Sequence, residues 1–142
     1  MITRILIENY RCIEKAVIKP ESLSLLIGPN GAGKSTVFEV LFKIRQLVTG
    51  NESASALFPS NTRTRWRLQA NQVFELDLSE ADGDFTYRLI VRHPKRQDDA
   101  QIIKEEILHK GQPLYTFSLE EVTIHAHDGL AERHFPAGDK RS

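Results

Sequence analysis

The amino-acid sequence predicts a fold that mixes α-helix and β-strand, and three observations support this. A short apolar run near the N-terminus ends in a glycine-rich stretch, Gly28 to Ser35, and a segment with helical periodicity follows it. Beyond residue 70 the hydrophobic period changes from about 3.6 residues to two. The order is therefore strand, strand, strand, helix and loop, followed by an antiparallel meander, which is typical of α+β structure.

Length and composition are those of a single soluble globular domain. The chain has 142 residues, of which 40% are hydrophobic and 27% charged, so it can bury a core without disulfide bonds. Its 19 basic and 19 acidic residues balance, which excludes a general attraction to nucleic acid or acidic membranes. The single cysteine and the lack of a signal-peptide pattern or a membrane-spanning run indicate a cytoplasmic protein.

Three strands are expected before the glycine-rich stretch. Ile2 to Glu8 has strand character, Asn9-Tyr10-Arg11 is expected to turn, and Ile13 to Lys19 is expected to return beside the first strand. Leu23 to Ile27 is a short apolar run that ends at a glycine. Such a run predicts a strand that is buried on both faces.

A helix is predicted directly after the glycine-rich stretch, beginning near Gly33. Glu39 and Lys43 are spaced for an ion pair on its outer face, and Gly50 is a natural end. Six apolar residues recur at helical spacing and would line the inner face. They are Val37, Val40, Leu41, Ile44, Leu47 and Val48.

The second half of the chain predicts a loop and then an antiparallel meander. The loop is expected at residues 51–70, which begin with a stretch rich in Ser, Ala and Asn. Residues 74–78 and 85–91 alternate apolar and polar side chains around a turn at Asp82-Gly83, which predicts a hairpin with one solvated face. Residues 102–109 are ambiguous. Further strands are expected at residues 114–117, 122–126 and 130–135, with turns at Lys110 to Pro113 and at Asp128-Gly129.

The glycine-rich stretch matches the phosphate-binding pattern G-x-x-x-x-G-K-[ST] at every fixed position. Its sequence is Gly28-Pro29-Asn30-Gly31-Ala32-Gly33-Lys34-Ser35. Glycines let the backbone curl so that N–H groups point at phosphate oxygens, and the start of the predicted helix adds its positive end. We therefore expect this P-loop to hold a nucleoside triphosphate together with Mg²⁺.

Individual P-loop residues have separate expected roles. Lys34 is expected to place its ammonium on the β- and γ-phosphates and is the candidate catalytic residue, while the Ser35 hydroxyl is the candidate Mg²⁺ ligand. Thr36 is expected to help hold the α-phosphate. The candidate nucleotide-binding residues of the loop are Asn30, Gly31, Ala32, Gly33, Lys34, Ser35 and Thr36.

The sequence of this loop, GPNGAGKST, resembles the P-loop of ABC-type ATPases. The opening ITRILIENYRCIEKAVIKPESLSLLIGPNGAGKST is similar to that of the SMC/RecF/OLD group, strongly over residues 1–48 and weakly in the meander. The resemblance implies a P-loop NTPase of ABC-type head architecture, lobe I, a kind of head also described as an AAA domain. It would comprise a strand–helix core at residues 1–50, a loop at 51–70 and an antiparallel β-subdomain at 71–142.

The resemblance also implies a mechanism. Two heads of this group sandwich two ATP molecules, so that binding closes a head-to-head homodimer and hydrolysis opens it. Members act on DNA in repair, chromosome organisation or phage defence, which implies DNA and a nuclease or another effector as partners. In relatives an arginine in the turn after the first strand reaches toward the nucleotide. Arg11 occupies that place here, and a solvated turn arginine is the alternative reading.

Several parts of a complete head do not occur in the 142 residues. There is no Ser-Gly-Gly signature and no Walker B strand that ends in Asp-Glu. The segment most similar to a Walker B strand is residues 73–78, but Glu75 interrupts its apolar run. The ending HFPAGDKRS carries no helix or strand stop. We therefore expect the N-terminal part of a longer ATPase, which binds ATP but hydrolyses it poorly because nothing activates the water.

Three alternative functions fit parts of the pattern. The ATPase subunit of a membrane transporter usually carries a glutamine loop after the P-loop, where this chain has a loop and antiparallel strands. P-loop kinases usually open with the P-loop strand, whereas residues 1–22 precede it here. The third alternative is not an enzyme but a module in which ATP binding controls a nuclease or toxin partner.

An arginine-rich segment carries a weaker signal for DNA. Arg63, Arg65 and Arg67 would share one face of a strand, with Trp66 between them, and such a face suits DNA phosphates. The charge balance of the chain favours the other interpretation, a solvated strand edge with a core tryptophan.

Two further signals concern metal binding and thiol chemistry. His125 and His127, with His134 nearby, are ligand types for zinc or nickel, but no cysteine or carboxylate completes the set. Cys12 has no base beside it in the sequence, so we expect a small packed or surface thiol.

Overall fold

The computed structural model describes residues 1–50, 52–66, 68–94, 100–119, 121–125 and, for the backbone alone, 133–136. Its helices are α1 at Lys34–Val48 and α2 at Ala54–Leu57, followed by a 3₁₀ turn at Ser60–Thr62. The strands are β1 Ile2–Tyr10, β2 Ile13–Ile18, β3 Asn71–Glu80, β4 Gly83–Arg92, β5 Gln101–His109, β6 Gln112–Ser118, β7 Glu121–Ile124 and β8 Arg133–Pro136. The described chain is thus mostly strand with few helices, which confirms the mixed α and β class.

All strands of the described chain belong to one antiparallel sheet. Its order is β2-β1-β3-β4-β5-β6-β7-β8. Strand β1 pairs with β2 on one side, where Ile7 lies opposite Ala16, and with β3 on the other, where Ile7 lies opposite Phe74. The N-terminal hairpin and the meander are therefore continuous through β1, a pairing that neither segment reveals alone.

The first turn lies later in the chain than predicted. Asn9 and Tyr10 belong to β1, and the chain turns at Arg11 and Cys12. Asn9 has a positive φ of 59° and is fully buried. Its side-chain amide donates hydrogen bonds to the carbonyls of Gln69 and Asn71, both at 2.9 Å, and so it replaces the ladder contacts that a strand would make there.

The meander matches the alternation of its sequence. Phe74 and Leu76 of β3 are buried, whereas Glu75 between them points to the opposite face. The β3–β4 turn follows Glu80 and ends at Gly83, so the predicted hairpin is confirmed. The ambiguous segment forms β5, and the next expected strands are present as β6, β7 and β8, whereas the Asp128-Gly129 turn lies outside the described residues.

The solvated face of the sheet carries a row of ion pairs. The guanidinium of Arg88 lies 2.6 Å from Glu75 and 3.2 Å from Glu106, and Arg4 pairs with Glu75 from β1. Burial alone would raise the pKa of Glu75, but hydrogen bonds and charge from Arg4 and Arg88 hold it below its usual range. The row therefore ties β1, β3, β4 and β5 together on the face opposite the helices.

The other face of the sheet holds the hydrophobic core, under α1. Val37, Val40 and Ile44 of α1 are buried in one cluster with apolar residues of β1 and β3. This confirms the predicted inner face, although Val48 at the end of the stripe is 61% exposed. The helix ends before Gly50, as predicted. No helix among the described residues is long and apolar enough to cross a membrane.

The segment predicted as a loop after α1 is more ordered than expected. It contains α2, whose first turn is capped by the Ser53 hydroxyl accepting from the amide of Ala56, and the 3₁₀ turn. Phe58 is fully buried, and its ring lies 5.1 Å from Phe74 and 6.3 Å from Tyr10, measured between centroids. The aromatic contact explains why a segment rich in small polar residues holds a fixed conformation.

The prediction of a buried strand at Leu23 to Ile27 is wrong for this structure. The segment forms no strand, and Leu23, Leu25 and Ile27 are 90%, 81% and 83% exposed. The described sheet ends at β2, which pairs only with β1, so no described strand lies beside residues 23–27. An apolar run becomes a buried strand only where neighbours supply hydrogen bonds and cover both faces.

A buried polar network joins the segment after α2 to the sheet. His93 is 3% exposed, and its Nε2 lies 2.8 Å from Oε1 of Gln72. The Gln72 amide in turn donates to the Asn9 carbonyl at 3.1 Å and to the Thr62 hydroxyl at 3.2 Å. The Thr62 carbonyl accepts from the amide of Arg11 at 2.6 Å, so the network extends to the β1–β2 turn.

This network predicts a stability that depends on pH. Burial, together with the charge of Arg63, lowers the pKa of His93 from 6.5 to about 4. The unfolded chain therefore binds more protons than the native one between these two values, and the free energy of unfolding falls as the pH drops from 6.5 toward 4. We expect a loss of about 2–3 kcal/mol over this interval.

Urea unfolding at several pH values measures this loss. His93→Gln, which has no titrating side chain, is expected to flatten the pH dependence between 6.5 and 4, and His109→Gln in β5 is the matched control. If the free energy of unfolding falls equally with pH in the wild type and in His93→Gln, the prediction is contradicted.

Candidate functional site

The P-loop adopts a backbone that its glycines make accessible. Gly31 and Gly33 have φ of 85° and 91°, in the left-handed region, and Ala32 between them does not. Gly33, at ψ 10°, passes directly into the right-handed helix at Lys34. Left-handed residues on both sides of Ala32 curl the loop backbone, and the Ala32 amide closes the curl by donating to the Pro29 carbonyl at 3.3 Å. A curled, glycine-rich backbone is what the sequence motif predicts for an anion site.

The N-terminus of α1 begins inside this loop and has no competing anion. Gly33 is its N-cap and supplies no side-chain hydrogen bond, and the first turn contains no acidic residue. Neither a side-chain cap nor an acidic residue therefore offsets the positive N-terminal end of α1, which suits an anionic ligand. Of the two hydroxyl residues, Ser35 is exposed and Thr36 is buried, which leaves Ser35 the more accessible oxygen for a metal ion.

The Lys34 side chain folds back over the loop that it follows. Its ammonium donates to the carbonyls of Gly28 at 2.6 Å and Pro29 at 2.7 Å. The positive charge thus lies beside the loop backbone, held by neutral acceptors that a phosphate oxygen can replace. The residues present therefore fit a Mg·triphosphate: a curled backbone, an uncapped helix start, one ammonium and one exposed hydroxyl.

The β1–β2 turn packs directly against the P-loop. A Cβ placed on Gly33 would lie 3.1 Å from Cγ1 of Ile13 and 3.3 Å from Sγ of Cys12. Cys12 is an exposed thiol, in agreement with the surface position allowed by the sequence. Because the turn and the loop touch, Arg11, the residue before Cys12, lies at the rim of the candidate site.

Arg11 contacts α1 through a carboxylate. Its guanidinium donates to Oε1 of Glu39 at 2.7 Å, and the hydroxyl of Tyr10 donates to the same oxygen at 2.9 Å. Lys43 lies 3.4 Å from this oxygen, which confirms the ion pair predicted for Glu39 and Lys43. The contact of Arg11 with a nucleotide stays a prediction. The sequence did not reveal Glu39 as a partner of Arg11.

The charges of this cluster perturb one another. Burial would raise the pKa of Glu39, but hydrogen bonds from Arg11 and Tyr10 and the charges of Arg11 and Lys43 hold it below its usual range. Burial lowers the pKa of Lys43, an effect that Glu39 partly offsets. Burial, followed by the hydrogen bond to Glu39, raises the pKa of Tyr10. Glu39 is therefore ionised at neutral pH, between two cations.

The family model described as "AAA ATPase domain" matches residues 1–134. The chain belongs to this family. Family membership indicates an ATPase function that includes ATP binding. AAA ATPases generally use ATP together with Mg²⁺. No curated protein is similar enough to the chain to count as a match.

The arginine-rich segment of the AAA ATPase domain does not form the expected strand. Arg63 follows the 3₁₀ turn and Arg65 lies in a further turn, while Arg67 lies outside the described residues. Trp66 is 63% exposed and donates from its indole nitrogen to Glu14, so it is not a core residue. Without a strand, the shared arginine face predicted for DNA phosphates loses its geometric basis.

The candidate histidine cluster is only partly described. His125 lies 3.3 Å from the Thr116 hydroxyl through its Nε2. His127 and the side chain of His134 lie outside the described residues. Among the residues that are described, no group of three His, Cys, Asp or Glu side chains is placed to hold a metal ion.

The two left-handed glycines of the P-loop differ in the predicted cost of substitution. At Gly31 a Cβ meets nothing within 4 Å, so Gly31→Ala carries only backbone strain, about 1 kcal/mol of unfolding free energy. Gly33→Ala carries the same strain and also drives Cβ into Ile13 and Cys12. We expect Gly33→Ala to cost roughly 1 kcal/mol more than Gly31→Ala.

Urea denaturation of both variants tests this difference. Gly50→Ala, which has φ of 72° and open space at its Cβ, is the control for strain at a helix end. Equal midpoints for Gly31→Ala and Gly33→Ala would show that the contact with the β1–β2 turn contributes nothing.

Proposed function

We propose that this chain is the ATP- and Mg²⁺-binding part of an ABC-type ATPase head of the SMC/RecF/OLD kind. The main support for the proposal is the geometry at the start of α1. There Gly33 turns the backbone and leaves an uncapped helix N-terminus beside Lys34 and Ser35. These groups are the donors and the metal ligand that a Mg·triphosphate requires. Membership in the AAA ATPase domain family supports ATP as the nucleotide.

In this proposal each candidate residue has one task. Backbone N–H groups from Asn30 to Gly33 surround the phosphates, that of Ala32 after it leaves the Pro29 carbonyl. Lys34 exchanges its two loop carbonyls for phosphate oxygens. The exposed Ser35 hydroxyl binds Mg²⁺. Thr36 is assigned to the α-phosphate and Arg11 to the nucleotide rim on the resemblance, and the contact between the β1–β2 turn and Gly33 supports the assignment of Arg11.

Hydrolysis in this proposal depends on groups that the 142 residues do not supply. The sequence contains no Walker B Asp-Glu, and Glu75, the nearest candidate, is engaged by Arg4 and Arg88 on the sheet face away from α1. A P-loop without an acid to orient water and hold the metal binds nucleotide far better than it cleaves it. The chain is therefore proposed to bind ATP without efficient turnover.

The biological setting follows from the resemblance of the N-terminal opening. We place the ATPase in the cytoplasm, in DNA repair, DNA maintenance or phage defence, acting as a head-to-head dimer. A nuclease or another effector that responds to the ATP state is the proposed partner.

Calorimetric titration with Mg·ATP tests the binding site. Lys34→Ala is expected to weaken binding about 10- to 100-fold, because a hydrogen bond from a charged donor contributes about 1.5–3 kcal/mol. Lys15→Ala removes an exposed lysine on β2 and is the matched control, with unchanged affinity expected. Ser35→Ala is expected to abolish the difference between titrations with Mg²⁺ and with a chelator. No heat with the wild type, or equal affinity for Lys34→Ala, would refute the site.

Phosphate release tests the expected lack of turnover. The chain is expected to release phosphate from Mg·ATP no faster than Lys34→Ala does. Turnover that Lys34→Ala abolishes would instead show a complete catalytic site within the 142 residues.

A further inference from the structure

Glu39 is the centre of a cluster that links the β1–β2 turn to α1. Its Oε1 accepts hydrogen bonds from Arg11 at 2.7 Å and from Tyr10 at 2.9 Å, and Nζ of Lys43 lies 3.4 Å away. Glu39 follows Ser35 by four residues in α1, so the two side chains are neighbours on one helix face. Side chains in a helix lean toward its N-terminus, and this brings the carboxylate toward the phosphate end.

Arg11 combines a hydrogen-bonded backbone with a half-exposed side chain. Its amide donates to the Thr62 carbonyl at 2.6 Å, and the next two residues contact the position of Gly33. The side chain, in contrast, is 50% exposed, and Glu39 is the carboxylate with which it forms an ion pair. The guanidinium can therefore change partners without any movement of the turn.

The cluster is built so that Glu39 does not depend on Arg11. If the guanidinium leaves, Lys43 and the Tyr10 hydroxyl still face the same carboxylate oxygen. Removal of a sole partner from a half-buried charge would be costly, but here a cation and a hydrogen bond remain. The cost of releasing Arg11 is therefore small, close to that of an exposed ion pair.

We propose that Glu39 competes with the phosphates of the nucleotide for Arg11 and thereby sets the affinity of the P-loop for its ligand. This inference rests on the proposed ATP binding and adds a positioning residue to it. Arg11 passes from the carboxylate to the triphosphate when the nucleotide binds, and Lys43 keeps Glu39 neutralised.

Calorimetry with Mg·ATP on four proteins tests the proposal: wild type, Glu39→Gln, Arg11→Gln and the double variant. Glu39→Gln keeps a carbonyl for the Tyr10 hydroxyl but loses the charge that holds Arg11, so binding is expected to tighten about two- to fivefold. Arg11→Gln is expected to weaken it by about threefold or more. In the Arg11→Gln background the effect of Glu39→Gln is expected to vanish.

The double variant separates competition from simple charge removal. A general electrostatic effect of Glu39 on the triphosphate would persist without Arg11, and that result would overturn the proposal. Weaker binding by Glu39→Gln would overturn it as well, since Glu39 would then support the site rather than compete with it. Glu8→Gln removes a carboxylate of β1 that pairs with Lys15, and unchanged affinity is expected for this control.

Lys34→Ala, run in the same series, distinguishes failure of the proposed ATP binding from failure of the role of Glu39. If the wild type binds and Lys34→Ala does not, while Glu39→Gln equals the wild type, the proposed function stands and the role of Glu39 is wrong. If the wild type binds no Mg·ATP, both are wrong. Thermal unfolding of each variant confirms that the comparison is between folded proteins.

Discussion

The left-handed backbone of Gly33, packed against the β1–β2 turn, is the constraint on which the rest of the site depends. Its φ of 91° takes the chain from the P-loop into α1, and a Cβ there would lie 3.1 Å from Ile13. One residue therefore turns the P-loop backbone, precedes the first residue of α1 without a side-chain cap, and packs against the N-terminal hairpin. A residue with a side chain would be strained at this φ and crowded by the turn, so glycine allows the start of α1 and the β1–β2 turn that carries Arg11 to lie close together.

The contact at Gly33 also connects the P-loop to the whole sheet. Strand β1 pairs with β2 on one side and β3 on the other, so the turn at its end cannot shift without disturbing both ladders. Tyr10 also joins the turn to its surroundings. Its ring packs against Phe58 and Phe74, and its hydroxyl donates to Glu39 of α1. Several elements therefore hold the backbone around the site, whereas Lys34 and Arg11 reach it through long side chains.

The sequence carries the local features of this arrangement better than the distant ones. Period-two alternation predicts the β3–β4 hairpin, helical spacing predicts the inner face of α1, and the P-loop motif predicts a curled backbone before α1, since each depends on neighbours in the chain. Leu23 to Ile27 fails because a buried strand needs partners that an apolar run does not specify, and the described sheet ends at β2. The contact of Tyr10 with Glu39 spans 29 residues and depends on how α1 lies on the sheet. No periodicity reveals such a pairing, and the same is true of β1 with β3.

The two cations at the site differ in what a ligand must displace. Lys34 is held by two neutral carbonyls, whereas Arg11 is held by an ionised carboxylate that also accepts from Tyr10. Any phosphate oxygen exceeds a carbonyl as a partner for an ammonium, but only a densely charged anion competes with a carboxylate for a guanidinium. A singly charged phosphate offers Arg11 no more charge than Glu39 does, so it gains more from Lys34 than from Arg11. In the proposed competition a triphosphate recruits both cations, and the affinity of the site then rises with the charge of its ligand.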